Sequence, residues 1–336
     1  MDMMPLLIAA AAALLSALLC ILLRPLLLRY ALARPNARSS HSVPTPQGGG
    51  IAVLAGCFLA VGAAIAATST PGRELTIVMA AASLLALVGA WDDIRPLPAG
   101  IRLGLQAVCV GLVLLVAAPD LRLFPELMPL ALERALALLA GVWFVNLVNF
   151  MDGLDWITVA GLVPLLGALA FSGGFGLLDP GSVCLAAGLC GGLIGFAPFN
   201  RPVARLFLGD VGSLPIGLLT AYLLYRLAGT GEFAAALILP LYHVTDATLT
   251  LLRRLSRGER VWEAHRSHLY QQATVNGHKV IEIVGAIAAL NLILIGLAWL
   301  STLTPRLDAA LACLAVAMIL TALLLRRFSR PRRRHV

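Results

Sequence analysis

Long apolar runs alternate with short polar stretches through the whole chain. Each run approaches the ~20 residues a helix needs to cross the hydrocarbon core of a bilayer. In order they predict eleven membrane spans, at about 5–23, 49–67, 75–91, 101–118, 132–149, 156–172, 181–197, 212–228, 234–252, 280–300 and 308–325. Only helices and closed barrels satisfy every backbone group in lipid, and these runs are too long and unbroken for barrel strands. The expectation is an all-α polytopic membrane protein, one integral domain over 1–336. The first run has no basic residue before it and no small-x-small cleavage site, so it reads as a retained helix rather than a removed signal.

Composition strengthens this picture. Of 336 residues, 60% are hydrophobic and 12% charged, with mean hydropathy +0.92, whereas roughly 25% of residues are charged in soluble domains. Cysteines 20, 57, 109, 184, 190 and 313 all lie inside apolar runs with no CxxC spacing, which argues against a thiolate metal site. The net charge of +8 comes mostly from arginines that flank apolar runs, a topology signal rather than a nucleic-acid surface. Connections on one side of the map carry 20 Lys and Arg, and those on the other carry 5. Positive charge gathers on the cytoplasmic side of membranes, so the N-terminus is expected outside, in the periplasm. The expected cytoplasmic segments are then about 24–48, 92–100, 150–155, 198–211 and 253–279, with a basic tail at 326–336.

The unusual polar residues gather on that same side. "WDDIRPLPAG" holds Asp92 and Asp93, "NLVNFMDGLD" holds Asn146, Asn149, Asp152 and Asp155, and "NRPVARLFLGDVGS" holds Asn200, Arg201, Arg205 and Asp210. "HVTDATLTLLRRLSRGERVWEAHRSHLYQ" adds Asp246, Arg253, His265, Arg266 and His268. Ionisable residues at membrane depth are functional suspects by default. Asn146, Asn149 and Asp152 recur at helical spacing and so fall near one stripe. Carboxylates beside amides suit a hard cation such as Mg²⁺, completed by phosphate oxygens and water. A zinc site from His265, His268 and Glu263 is the weaker alternative. Asp210 lies between glycines at the start of a helix, where it is either a simple N-cap or part of an anion and metal site. Acids for a metal and arginines for phosphates together suggest phosphoryl transfer at the membrane surface.

"HSVPTPQGGG", "WDDIRPL", "NLVNFMDGLD", "FLGDVGS" and "HRSHLYQ", in this order over residues 36 to 285, resemble the polyprenyl-phosphate N-acetylhexosamine-1-phosphate transferases of glycosyltransferase family 4. The resemblance implies that undecaprenyl phosphate attacks the β-phosphate of a UDP-N-acetylhexosamine in the bacterial cytoplasmic membrane, releasing UMP. Mg²⁺ is implied, with Mn²⁺ as the substitute ion; a homodimer is one candidate assembly, with the oligomeric state left open by the sequence. Carried over, Asp210 with Asp152 would hold the metal, and Asp92 and Asp93 would handle the lipid phosphate or its proton. Asn146, Asn149, Asp152 and Asp155 would line the nucleotide site, and Asp246, Arg253, His265, Arg266 and His268 would hold the sugar nucleotide. His41 belongs either to that site or to a loop hydrogen bond. "GERVWEAHRSHLYQ" looks most like the O-antigen-initiating branch, which uses 6-deoxy sugars. Three departures stand out: Gln47 where relatives carry a basic residue, Trp156 where Gly is common, and Tyr270 where other branches have a histidine.

Bland readings compete with these. The glycines at 48–50 serve either close helix packing or the lipid site. The tail "RRFSRPRRRHV" reads as a topology anchor touching anionic lipid. Asp246 is either a site residue or a buried helix-pairing group. The rival function is a secondary transporter, which should place its polar groups near the bilayer centre on broken helices. Here they crowd one surface.

Overall fold

The computed structural model describes residues 3–33, 44–68, 72–261, 265–303 and 306–332. Among the described residues the regular structure is helical, apart from one pair of two-residue strands and an isolated bridge between Gln47 and Phe207. Helix α1 (Met4–Tyr30) leads to a two-residue strand β1 (Leu32–Ala33), which pairs antiparallel with β2 (Thr45–Pro46). Then follow α2 (Gly49–Thr68), α3 (Arg73–Ile94), α4 (Ala99–Leu112, prolonged by a π turn through Ala117), α5 (Leu130–Phe150) and α6 (Ile157–Ser172). The rest comprises α7 (Pro180–Phe196), α8 (Asp210–Gly229), α9 (Phe233–Ile238), α10 (Leu241–Ser256), α11 (Leu269–Val275), α12 (Val280–Leu303) and α13 (Leu307–Phe328).

Among the described residues, nine helices are long and apolar enough to cross a membrane, and α7 is a shorter apolar helix of 17 residues. The protein is a polytopic, all-α membrane protein. One expected span differs. The run at 234–252 is not one helix but two, α9 and α10, interrupted at Leu239 and Pro240. Proline has no N–H for the helical ladder, so the hydrogen bond it would donate one turn back is missing. Helix α1 also continues to Tyr30, a full turn and more beyond its expected end, because no breaker follows Pro25 until the chain turns into β1.

Small residues let the bundle close. Along α7, Gly191 and Gly195 face the backbone carbonyls of Ala9 and Ala13 in α1, so close that any side chain would clash. Such contacts drive helix association in lipid, where no hydrophobic force separates helix from acyl chain. Helix α8 is the most buried of the candidate spans and packs against α3 and α5. At its far end Arg226 bridges Glu74 of α3 (2.8 Å) and Asp179 before α7 (2.9 Å). Its near end, at Asp210, is where the polar motifs meet.

Candidate active site

Two motif segments pair directly. The carbonyl of Pro46 accepts the N–H of Phe207, and the carbonyl of Phe207 accepts those of Gly48 and Gly49 (2.9, 3.1 and 2.8 Å). Gly50 N–H then reaches the carbonyl of Leu208 at 2.9 Å. This ladder presses Gly50 against the backbone of Gly212, where any Cβ would collide. Gly209 turns the chain into α8 with φ +76°, a left-handed conformation that glycine adopts without strain. A Cβ there would also lie 2.7 Å from the Asp93 carboxylate. The glycines therefore serve close approach, and the close approach builds the site.

Asp93, near the end of α3, caps α8. Its two carboxylate oxygens accept the N–H groups of Asp210 (3.0 Å) and Val211 (3.1 Å), where the helix dipole favours negative charge. Gln47 donates to the carbonyl of Asp93 at 3.0 Å, so the residue at this departure buttresses the α3 terminus. Asp92 turns the other way: it accepts the N–H of Leu97 (2.6 Å) and the guanidinium of Arg102 (2.7 Å). Arg102 also comes within 4.0 Å of Asp210. Asn149 of α5 donates to Asp210 Oδ1 at 2.7 Å and to Ser213 Oγ at 2.9 Å. One oxygen of Asp210 is thus oriented by an amide while the other faces Arg102.

The loop between α5 and α6 forms the second wall. Asp152 accepts a hydrogen bond from the Thr158 hydroxyl. Burial pushes its carboxyl up to about 7, and the neighbouring charges of Asp93 and Asp155 push the same way against the Thr158 bond. Asp155 accepts the N–H of Ala204 at 3.0 Å. Trp156 has φ +65°, which explains why glycine is common at this position. Asn200 holds it there by accepting its N–H at 2.8 Å, and its indole donates to the carbonyl of Ala197 at 2.6 Å.

The "HRSHLYQ" segment closes over that loop. Tyr270 donates its hydroxyl to the carbonyl of Phe150 at 2.8 Å and packs over Gly153, which has no room for a side chain. Burial, with Asp246 and Asp152 nearby, drives the Tyr270 phenol well above its ordinary value, so it stays a donor. His265 is pushed down to about 4 by burial and then by His268 and Arg254, leaving it neutral near pH 7. Its ring lies 4.8 Å from that of His268, which in turn stacks on Tyr270 at 5.6 Å.

These elements enclose a cavity of about 680 Å³. Of the residues singled out from sequence, Gln47, Asp93, Asn149, Asp152, Asp155, Asn200, Asp210 and Arg266 line it. Asp92 and Asn146 stand behind the wall. The expected stripe splits because Asn146 faces the buried Gln106 of α4, exchanging amide bonds of 2.5 and 3.4 Å. Asp246 is fully buried away from the cavity. It accepts the N–H groups of Leu269 (2.9 Å) and Tyr270 (3.1 Å) and so caps α11, with His268 Nδ1 3.6 Å away. Arg253 is exposed on α10, while its neighbour Arg254 is buried and bonds Glu259 at 2.8 Å. His265 and His268 lie outside the lining, and His41 lies outside the described residues. Sequence reasoning passed over Arg102, Thr158 and Gln271. Only Arg102, ten residues after Asp92 at a helix start, carried any signal.

The donor set fits a magnesium ion. The oxygens facing the cavity are carboxylates and amides, with no thiolate. The acids lining the cavity are Asp93, Asp152, Asp155 and Asp210, and Asp93 already accepts two backbone N–H groups. No cage of three or more acids, histidines or cysteines stands among the described residues. That suits Mg²⁺, which takes one or two carboxylates and fills its shell with substrate phosphates and water.

A bundle of membrane helices with an acidic, amide-lined cavity at one end defines a membrane protein with a site for a polar ligand. The model of glycosyl transferase family 4 matches residues 75–228. A phospho-N-acetylmuramoyl-pentapeptide-transferase of Synechococcus sp. (strain JA-3-3Ab) is 31% identical over 313 residues, covering 84% of this chain and 88% of that protein. A decaprenyl-phosphate N-acetylglucosaminephosphotransferase of Mycobacterium tuberculosis (strain ATCC 25618 / H37Rv) is 29% identical over 292 residues, 76% of this chain and 71% of that protein. The chain belongs to glycosyl transferase family 4 and is a multi-pass membrane phosphoglycosyltransferase related to bacterial membrane transferases. The transporter alternative gives way to this membership.

Proposed function

We propose that this protein transfers N-acetylhexosamine-1-phosphate from a UDP-sugar to undecaprenyl phosphate, releasing UMP, at the cytoplasmic face of a bacterial cytoplasmic membrane. The observation that carries the reading is the unit Asp93–Asp210–Asn149, built from three helices on the wall of a 680 Å³ cavity that also takes in Asp152 and Arg266. Named relatives act on polyprenyl phosphates or on phospho-N-acetylmuramoyl-pentapeptide. The excess of basic residues on the connections that bear the site supports the cytoplasmic orientation.

In this reading a phosphate monoester is the nucleophile, so catalysis is chiefly positioning and charge balance. Asp93 fixes the start of α8 and thereby the Asp210 carboxylate. Asn149 orients one oxygen of that carboxylate, and Arg102 balances Asp92 and Asp210. Asp210 and Asp152 would hold Mg²⁺, which when bound neutralises charge on the diphosphate. Arg266 offers a cation to a phosphate, and Tyr270 holds the α5–α6 loop shut against its wall. The donor sugar is proposed to be a 6-deoxy-N-acetylhexosamine such as FucNAc or QuiNAc, or else GlcNAc, for the start of O-antigen synthesis; Tyr270 standing where other branches have a histidine favours the first.

Purified protein with Mg²⁺, undecaprenyl phosphate and a panel of UDP-N-acetylhexosamines is expected to release UMP with at least one donor. Asp210→Asn is expected to abolish release while keeping the folded protein's thermal transition. Intact protein that releases no UMP from any donor would sink the proposal.

A further inference from the structure

A second large cavity, about 700 Å³, lies where the start of α12 meets the end of α13. It shares no lining residue with the acidic cavity. Arg326, Arg327, Arg330 and Arg332 line it, together with His278 and a single acid, Glu282. The chain after α13 is folded back to make this wall. Asn276 donates its amide to the carbonyl of Phe328 at 2.7 Å, and the N–H of Arg332 donates to the carbonyl of Asn276 at 2.9 Å. Glu282 is already satisfied by the Arg332 guanidinium, at 2.9 and 2.8 Å, and by the N–H of Lys279 at 3.1 Å. Among the described residues, Arg326, Arg327 and Arg330 have no carboxylate within salt-bridge distance. The pocket therefore holds three uncompensated guanidinium groups on a backbone fixed by its own hydrogen bonds.

The approach to it is apolar. Val316, Ile319 and Leu323 recur at helical spacing on α13, are all exposed, and Leu323 itself lines the cavity. The face of α13 thus changes from apolar to basic within one turn, at the end of a helix long enough to span a membrane. A soluble anion would use only the basic half of such a surface. An amphiphile with a phosphate head and acyl tails uses both, and arginine forks match phosphate oxygens.

We propose that this pocket binds the headgroup phosphate of an anionic membrane phospholipid, with its acyl chains along the Val316–Ile319–Leu323 face of α13. The site does not depend on the reaction proposed above. Its occupant would pin the tail to the segment 276–282, whose Val280 lines the acidic cavity.

The test is lipid retention by the purified full chain, read by native mass spectrometry after incubation with phosphatidylglycerol or phosphatidylcholine. Wild type is expected to retain phosphatidylglycerol at least ~10-fold over phosphatidylcholine. Replacing Arg326, Arg327 and Arg330 by Gln should weaken retention about 100-fold, at roughly five-fold for each arginine. An Arg→Lys triple at these positions keeps the charge needed for membrane insertion, loses the fork, and should lose retention about ten-fold. Equal retention of the two lipids, or an Arg→Lys triple indistinguishable from wild type, overturns the built site. Displacement of the lipid by excess inorganic phosphate would assign the pocket to a free anion, and exclusive retention of a polyprenyl phosphate would assign it to the carrier; either result refutes the proposal.

Discussion

Asp152 offers a test of how the acidic cavity is held together. An acid whose folded value lies above its unfolded value destabilises the fold once the unfolded chain begins to ionise. Stability attributable to Asp152 therefore falls as pH rises from about 4 through about 7, and the full cost is present above that. A rise from 3.8 to about 7 corresponds to about 4 kcal/mol. The side chain is partly exposed, and solvent screening reduces this to about 2 kcal/mol. An Asp152→Asn substitution would keep an oxygen for the Thr158 hydroxyl and remove the charge. The variant is thus expected to be about 2 kcal/mol more stable than wild type at pH 8 without divalent cation, with the gap reduced to under half at pH 4. Adding Mg²⁺ should raise the melting temperature of wild type and leave the variant nearly unmoved. Thermal unfolding in detergent, at both pH values with and without Mg²⁺, reads all of these. A variant no more stable than wild type at pH 8, or one that responds equally to Mg²⁺, refutes the account of Asp152 as a strained acid able to hold a cation.

Three further outcomes follow from the geometry. Asp93→Asn leaves only one acceptor oxygen for two N–H donors. A charge-assisted bond of about 1.5–3 kcal/mol is lost, and turnover should fall ~10- to 100-fold; unchanged kcat would show that α8 needs no such cap. Gly153→Ala should displace the Tyr270 hydroxyl and cut activity at least ~10-fold, because the misplaced loop carries Asp152 and Asp155. Tyr270→Phe in that background should recover part of the loss, and no recovery would show that the hydroxyl is not the obstacle. His265 is already neutral at pH 7, so His265→Gln should lower the rate without reshaping the kcat/KM profile between about pH 6 and 8. Movement of its acid limb would mean that the imidazole titrates there.

What could be read from sequence was whatever depends on local pattern. Apolar run length placed a helix at every expected span except 234–252, where the apolar run continues across Pro240 and concealed the break. The same patterning brought acids and amides to one set of connections, because charges in lipid must reach an end of the bundle. Spacing could not decide which way each side chain turned. Asn146 and Asn149 are one turn apart on α5, yet Asn146 pairs with Gln106 while Asn149 reaches Asp210, since different helices cover the two positions. The adjacent Asp92 and Asp93 diverge likewise, one to Arg102 and the other to the α8 terminus. Asp246 reads from the sequence as either a site acid or a buried helix-pairing group, and the packing of α10 against α11 makes it a buried cap. Trp156 needed the backbone angle to be understood, and the glycines needed the partner that presses on them. The chain alone therefore determined the membrane fold and the inventory of reactive groups, because hydropathy and charge act residue by residue. The assignment of those groups to cavity, cap or helix pair was left to the tertiary structure, because each depends on a partner from a distant helix.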